Sequence, residues 1–178
     1  MLQLSTFLWM MIALFAAVGF LRGWTKEIVA TAGIILALFT TWQLEGTLIQ
    51  PLTQGASGEQ VFYLHTGFLM LITFFAYQTP GTASRLSDGR MWSTRREGLQ
   101  ERLLGLVIGA VNGYLIFGSV WYYLDVTGYP FAPFITAPIP GSASAQMVAS
   151  LPLIFLVQGN LLTILVIVLF LFVIVAMI

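Results

Sequence analysis

The sequence predicts an all-α integral membrane protein, a bundle of about five transmembrane helices with its N-terminus outside and its C-terminus inside. Three observations lead there. Hydrophobic residues make up 58% of the chain and charged residues 8%, with mean hydropathy +0.93. Soluble domains carry about 25% charged residues, so a water-soluble fold could not cover its surface with so few. Apolar runs close to the length of a bilayer crossing recur five times, at residues 2–21, 27–44, 61–77, 103–124 and 151–178. Finally, all seven basic residues lie between alternate runs, which by the positive-inside rule marks one flank as cytoplasmic.

A hydrocarbon core of about 30 Å takes roughly 20 helical residues at about 1.5 Å each. The runs do not alternate apolar with polar as the strands of a membrane barrel do, so they are helices. No positive charge precedes the first run, which distinguishes it from a cleaved signal peptide and predicts a retained first span. It ends in "GFLRGWTKE". There Arg22 offsets the negative end of the helix dipole and Gly23 supplies a helix stop. Thr25 is placed to cap the next helix, with Glu27 in its first turn. Trp24 suits the headgroup layer. With Lys26, these residues predict a tight interfacial turn between two antiparallel spans.

Residues 43–60, rich in Gly, Thr and Gln, read as a polar outer loop. The third run contains the sole histidine, His65. Beyond it, "RLSDGRMWSTRREGLQER" interleaves Arg85, Arg90, Arg95, Arg96 and Arg102 with Trp92. Anionic headgroups attract such juxtamembrane basic residues. Lipid contact is therefore the simpler reading, and a partner protein the sharper one.

The fourth run, "ERLLGLVIGAVNGYLIF", spaces Gly105, Gly109 and Gly113 four apart. They form one smooth helix face, as a packing seam in lipid requires; a pore-lining or moving helix is the other reading. Asn112 falls near mid-membrane and must face protein, a cavity or a partner helix. Thr73, Gln158 and Asn160 are its only plausible polar companions. Trp121, Tyr122 and Tyr123 form an aromatic belt. A Pro-rich outer segment follows, with five of the seven prolines between Asp125 and Pro152. In the last run, Gln158, Gly159 and Asn160 interrupt the pattern. Residues 151–157 are then either an outer interfacial turn before a span from Leu161, or part of one long, kinked helix.

Chemistry is sparse. The chain lacks cysteine, which excludes disulfides, thiolate metal sites and thiol catalysis. His65 has no carboxylate at a diagnostic spacing; an interfacial histidine without a ligand is the plain reading, and a single chlorophyll-type or haem ligand the alternative. No metal site, resident cofactor or nucleic-acid partner is predicted. With no ionisable residue assigned to mid-span, a pump or transporter acting alone is disfavoured.

Two stretches together resemble the colicin V production protein (CvpA) family. The first is the turn Arg22, Gly23, Trp24, Lys26 and Glu27. The second is the fourth-span motif of Glu101, Arg102, Leu104, Gly105, Gly109, Ala110 and Gly113. The resemblance covers about residues 7–125. It implies a multi-pass protein of the bacterial inner membrane, linked to export or envelope physiology, without catalytic residues. A single domain is expected over residues 1–178: a four-helix part to residue 125, a Pro-rich outer loop at 126–150, and an additional apolar segment at 151–178. The extra segment motivates a different reading, an accessory subunit of a larger respiratory or photosynthetic complex. Membrane lipids and protein partners within the membrane are the expected contacts.

Overall fold

The computed structural model describes residues 3–78 and 95–177, giving only the backbone for 95–97 and 172–177. The described residues are helical, without strands. Helix α1 is Leu4–Arg22, α2 Trp24–Leu44, α3 Gln50–Thr53, α4 Gly58–Gln78, α5 Arg95–Val126, α6 Ala143–Val148, α7 Pro152–Gln158 and α8 Leu161–Met177. Four segments are long and apolar enough to cross a membrane: Leu4–Arg22, Trp24–Thr53, Gly58–Gln78 and Gly98–Val126. Ala143–Gln158 and Leu161–Leu171 form a pair bent by 60° that would make a fifth.

The first turn is shorter than the sequence reading has it. A single residue, Gly23 at φ +82°, separates α1 from α2, and its N–H donates to Gly19 O at 2.9 Å. Thr25 therefore lies inside α2 and caps nothing. Glycine tolerates this left-handed conformation without the steric cost of a Cβ.

The second correction concerns residues 43–60. They are not one polar loop, because α2 runs on through a π-helical turn, Glu45–Ile49, into α3. Pro51 does not interrupt this path and follows directly on the π-helical turn, at the start of α3. The chain then re-enters at α4 through a reciprocal cap: Gln60 N–H donates to Ser57 Oγ at 3.4 Å, and Ser57 N–H donates to Gln60 Oε1 at 3.0 Å.

Helix α5 lies along α1 more extensively than any other described pair. The α2–α4–α5 core holds Ile34, Leu38, Leu69, Leu115 and Ile116. Helix α2 approaches α4 where Gly33 faces Ala76, so closely that a Cβ on Gly33 would fall onto the Ala76 methyl.

At the other end, the Pro-rich segment folds back on the bundle. Tyr129, at φ +54°, donates its hydroxyl to Asp125 Oδ1 at 3.0 Å and accepts from Trp121 Nε1 at 3.2 Å. Phe131 packs edge-on against Phe62, 5.2 Å between centroids. Of the two readings of the final run, the broken one matches the structure: Asn160, at φ +52°, ends α7 and the chain turns into α8. Residues 152–158 form a helix rather than a turn. Leu151, Pro152, Leu153 and Leu156 are buried, and Gly118 of α5 leaves the space that Pro152 fills.

Candidate functional site

The side chains best placed for function meet where α1, α2, α4 and α5 converge. Glu27 of α2 is fully buried. Its Oε2 accepts from Asn112 Nδ2 at 2.9 Å and from the Tyr77 hydroxyl at 3.1 Å; its Oε1 lies 3.4 Å from an Arg22 nitrogen. Asn112 Nδ2 also donates to the Glu27 backbone carbonyl at 3.2 Å. The Thr31 hydroxyl, one turn along α2, lies 2.7 Å from Asn112 Oδ1 and 2.8 Å from the same carbonyl. Arg22 donates to Tyr77 O at 3.3 Å and sets its guanidinium 4.4 Å from the Tyr77 ring centre.

The local reason is geometric. The one-residue turn brings Arg22, the last residue of α1, beside the first turn of α2. An acid three residues into α2 then points back across the turn. Burying a carboxylate costs several kcal/mol unless it is paired and hydrogen-bonded; here an amide and a phenol hydrogen-bond Oε2, while Oε1 has the Arg22 ion pair and no hydrogen bond among the described residues.

The companions of Asn112 are thus Glu27, Thr31 and Tyr77, not the three named from the sequence. Gln158 and Asn160 are exposed, and Thr73 is buried elsewhere on α4. Nor is Glu27 only a residue of an interfacial turn: Arg22, Gly23 and Glu27 belong to the bundle, while Trp24 and Lys26 face outward. The missed signal was the four-residue spacing of Glu27 and Thr31, which puts both on one face of α2.

The three glycines of α5 lie against α1. A Cβ on Gly105 would fall onto Gly19 O, and one on Gly109 onto Phe15 O; one on Gly113 would stand 2.8 Å from Phe15 Cβ. Of the residues expected to contact lipid or a partner, Arg85, Arg90 and Trp92 lie outside the described residues. Arg95 and Arg96 begin α5, and Arg102 sits 5.9 Å from the Phe20 ring centre.

A second polar site occupies the opposite end of the same core. His65 Nδ1 donates to Val61 O at 2.8 Å, and Nε2 is 2.7 Å from Glu45 Oε2. Tyr123 of α5 lies against the imidazole, 5.0 Å between ring centres. With Nδ1 committed as a donor, one further proton is held between Nε2 and the carboxylate. Both ring nitrogens are engaged, so ligating a pigment or haem would require breaking one of these bonds. No cluster of metal-ligating side chains occurs among the described residues.

Long apolar helices with polar groups paired inside the bundle define a multi-pass helical membrane protein. The family model for colicin V production protein matches residues 4–152, and the chain belongs to that family. The match continues past Asp125, through the Pro-rich segment, to the start of α7. No curated protein and no solved structure matches the chain.

Proposed function

We propose that this is a non-enzymatic protein of the bacterial inner membrane, N-terminus outside and C-terminus inside, serving colicin V export or envelope physiology. One observation carries this reading. The turn and the glycine-rich helix, the two motifs of the family resemblance, form a single unit: Gly19 lies on Gly105 and Gly109, and Glu27 is bonded to Asn112. This is the construction of a fixed scaffold. Its basic segment between α4 and α5 supplies contacts to anionic lipid or to protein partners in the membrane.

Complementation tests the role. In a bacterium deleted for its own family member, the chain should restore colicin V secretion or detergent tolerance. If it inserts normally and restores neither, the role is wrong. Reporter fusions at Gly55, Ser93 and Ala143 test the orientation, which an external Ser93 overturns.

The accessory-subunit reading has its own support in α8. Ile164, Ile167, Val168, Phe170 and Leu171 are exposed along it, a face suited to lipid or to a neighbouring helix. Stoichiometric comigration with other membrane subunits in mild detergent would favour that reading, whereas a lone homo-oligomer counts against it.

A further inference from the structure

A cavity of about 550 Å³ lies between the Pro-rich segment and the ends of α1 and α5 nearest to it. That is within the ~300–1,000 Å³ of small-molecule sites. Leu4, Phe7 and Leu8 of α1 form one wall, Phe117, Val120 and Leu124 of α5 the other, and residues 134–139 the roof. The roof is pinned on both sides. Phe131 lies against Phe62 before it; after it, Ser144 Oγ donates to Ser5 Oγ at 2.9 Å and accepts from Ser5 N–H at 3.2 Å. Phe117, the lining residue of α5 farthest from the Pro-rich segment, meets Phe7 edge-on at 6.0 Å between centroids and closes that end.

The walls suit neither a charge nor water. Among the described residues no ionisable side chain lines the cavity. Of its four polar side chains, Ser144 is tied to Ser5, Ser142 Oγ accepts from Ala145 N–H at 3.2 Å, and Gln3 and Thr136 are exposed. A stable internal water needs about 2–4 polar partners, which this interior does not offer. The opening is apolar as well. Phe134 is 92% exposed, Ile139 77% and Phe7 41%, and all three line the cavity. Large apolar side chains grouped at a surface mark contact with a membrane or a partner. In a chain of membrane spans, such a rim opens sideways into lipid.

We propose that this cavity takes up one acyl chain of a phospholipid from the adjoining leaflet, leaving the headgroup in the interface. Exclusion from water supplies no drive within a bilayer. The gain is in the dispersion contacts that an unfilled apolar space forgoes. A free fatty acid fits less well, because its carboxylate would meet no base at the opening: Arg22, Lys26 and Arg102 lie at the far ends of the helices that carry them.

The test uses the full chain, purified in mild detergent and supplied with phosphatidylethanolamine, whose net-neutral headgroup is not drawn to the basic end. By native mass spectrometry the wild type should retain one phospholipid per chain. Val120→Phe and Ala137→Phe, which fill the cavity, should lower retention several-fold, and Ile167→Phe, on the exposed face of α8, should leave it unchanged. Circular dichroism and monodispersity show that each variant is folded. Fluorescence then locates the chain. With Trp9→Phe, Trp24→Phe, Trp42→Phe and Trp92→Phe combined, the remaining Trp121, a buried lining residue, should be quenched in bilayers of phospholipid brominated on its acyl chains, and Ala137→Phe should restore its emission. A wild type that retains no phospholipid, retention unchanged in both filled variants, or Trp121 emission indifferent to bromine overturns the assignment. A brominated fatty acid that quenches Trp121 more than the brominated phospholipid, at the same fraction of the bilayer, overturns it in favour of the free acid. The inference depends on the chain crossing the membrane and not on the export role, so complementation without bound lipid removes the lipid site alone.

Discussion

The molecule holds its helices together in two different ways, and α5 takes part in both. Toward α1 it is smooth, with backbone on backbone at Gly105 and Gly109 and few side-chain polar groups between. Toward α2 and α4 it sets Asn112 into apolar packing by Leu115 and Ile116, and Asn112 hydrogen-bonds Glu27 across the helices. Lipid supplies no hydrophobic force between helices, so association depends on close packing and on interhelical hydrogen bonds. The first seam uses packing, which is rigid and depends on shape. The second adds to its packing a cluster of hydrogen bonds, which are weaker individually but fix which residues face one another.

Four measurements would break or sharpen this contrast. The largest effect is expected at the smooth seam. Gly109→Leu forces a side chain into the α1 backbone at Phe15 and should cost more than about 3 kcal/mol, the upper end for overpacking. Gly67→Leu, at a position with nothing within 4 Å, is the matched control; equal losses in denaturant titration would mean the seam is not special. Next comes Glu27→Ala, which strands Arg22, Asn112 and Tyr77 and should cost about 3 kcal/mol, the lower end for breaking a buried pair because Arg22 is partly exposed. Retained stability in the same titration would show the cluster to be incidental. Asn112→Leu removes bonds but leaves no unpaired donor of its own, and about 1 kcal/mol is expected, in the range of interhelical hydrogen bonds in membranes.

The smallest effect is at Tyr129, where burial pushes the hydroxyl up to about 12. Below pH about 10, the ordinary tyrosine value, folded and unfolded chains are both protonated and its contribution is complete. Between there and the folded value the unfolded chain ionises first, so stability falls as pH rises. Tyr129→Phe should flatten that alkaline fall in a thermal-unfolding series; an unchanged slope assigns it to another group.

Much of the fold was legible because hydropathy and the four-residue glycine period are properties of single helices. The spans and the smooth face of α5 could be placed without knowing any neighbour. The polar cluster could not. An acid in the first turn of a helix satisfies the dipole whether it faces water or protein, so the only local hint at Glu27 was the polar face it shares with Thr31 four residues on. Glu45 was hidden differently. Gly46, Thr47 and Pro51 give residues 43–60 the composition of a loop, yet a π-helical turn carries the chain through them and sets Glu45 against His65. Asn112 was recognised as needing a companion, but the choice among residues distant in sequence is made by tertiary packing.

The single glycine between α1 and α2 leaves the hairpin no slack. One residue added there would rotate every position of α2 by about 100° around its axis. Glu27 would swing away from Asn112 and Tyr77, and every other contact of that face would lose its register with it. Substitutions near the turn can be absorbed one side chain at a time; a change of length cannot, so the spacing from Arg22 to Glu27 is a constraint on chain length as well as on residue type.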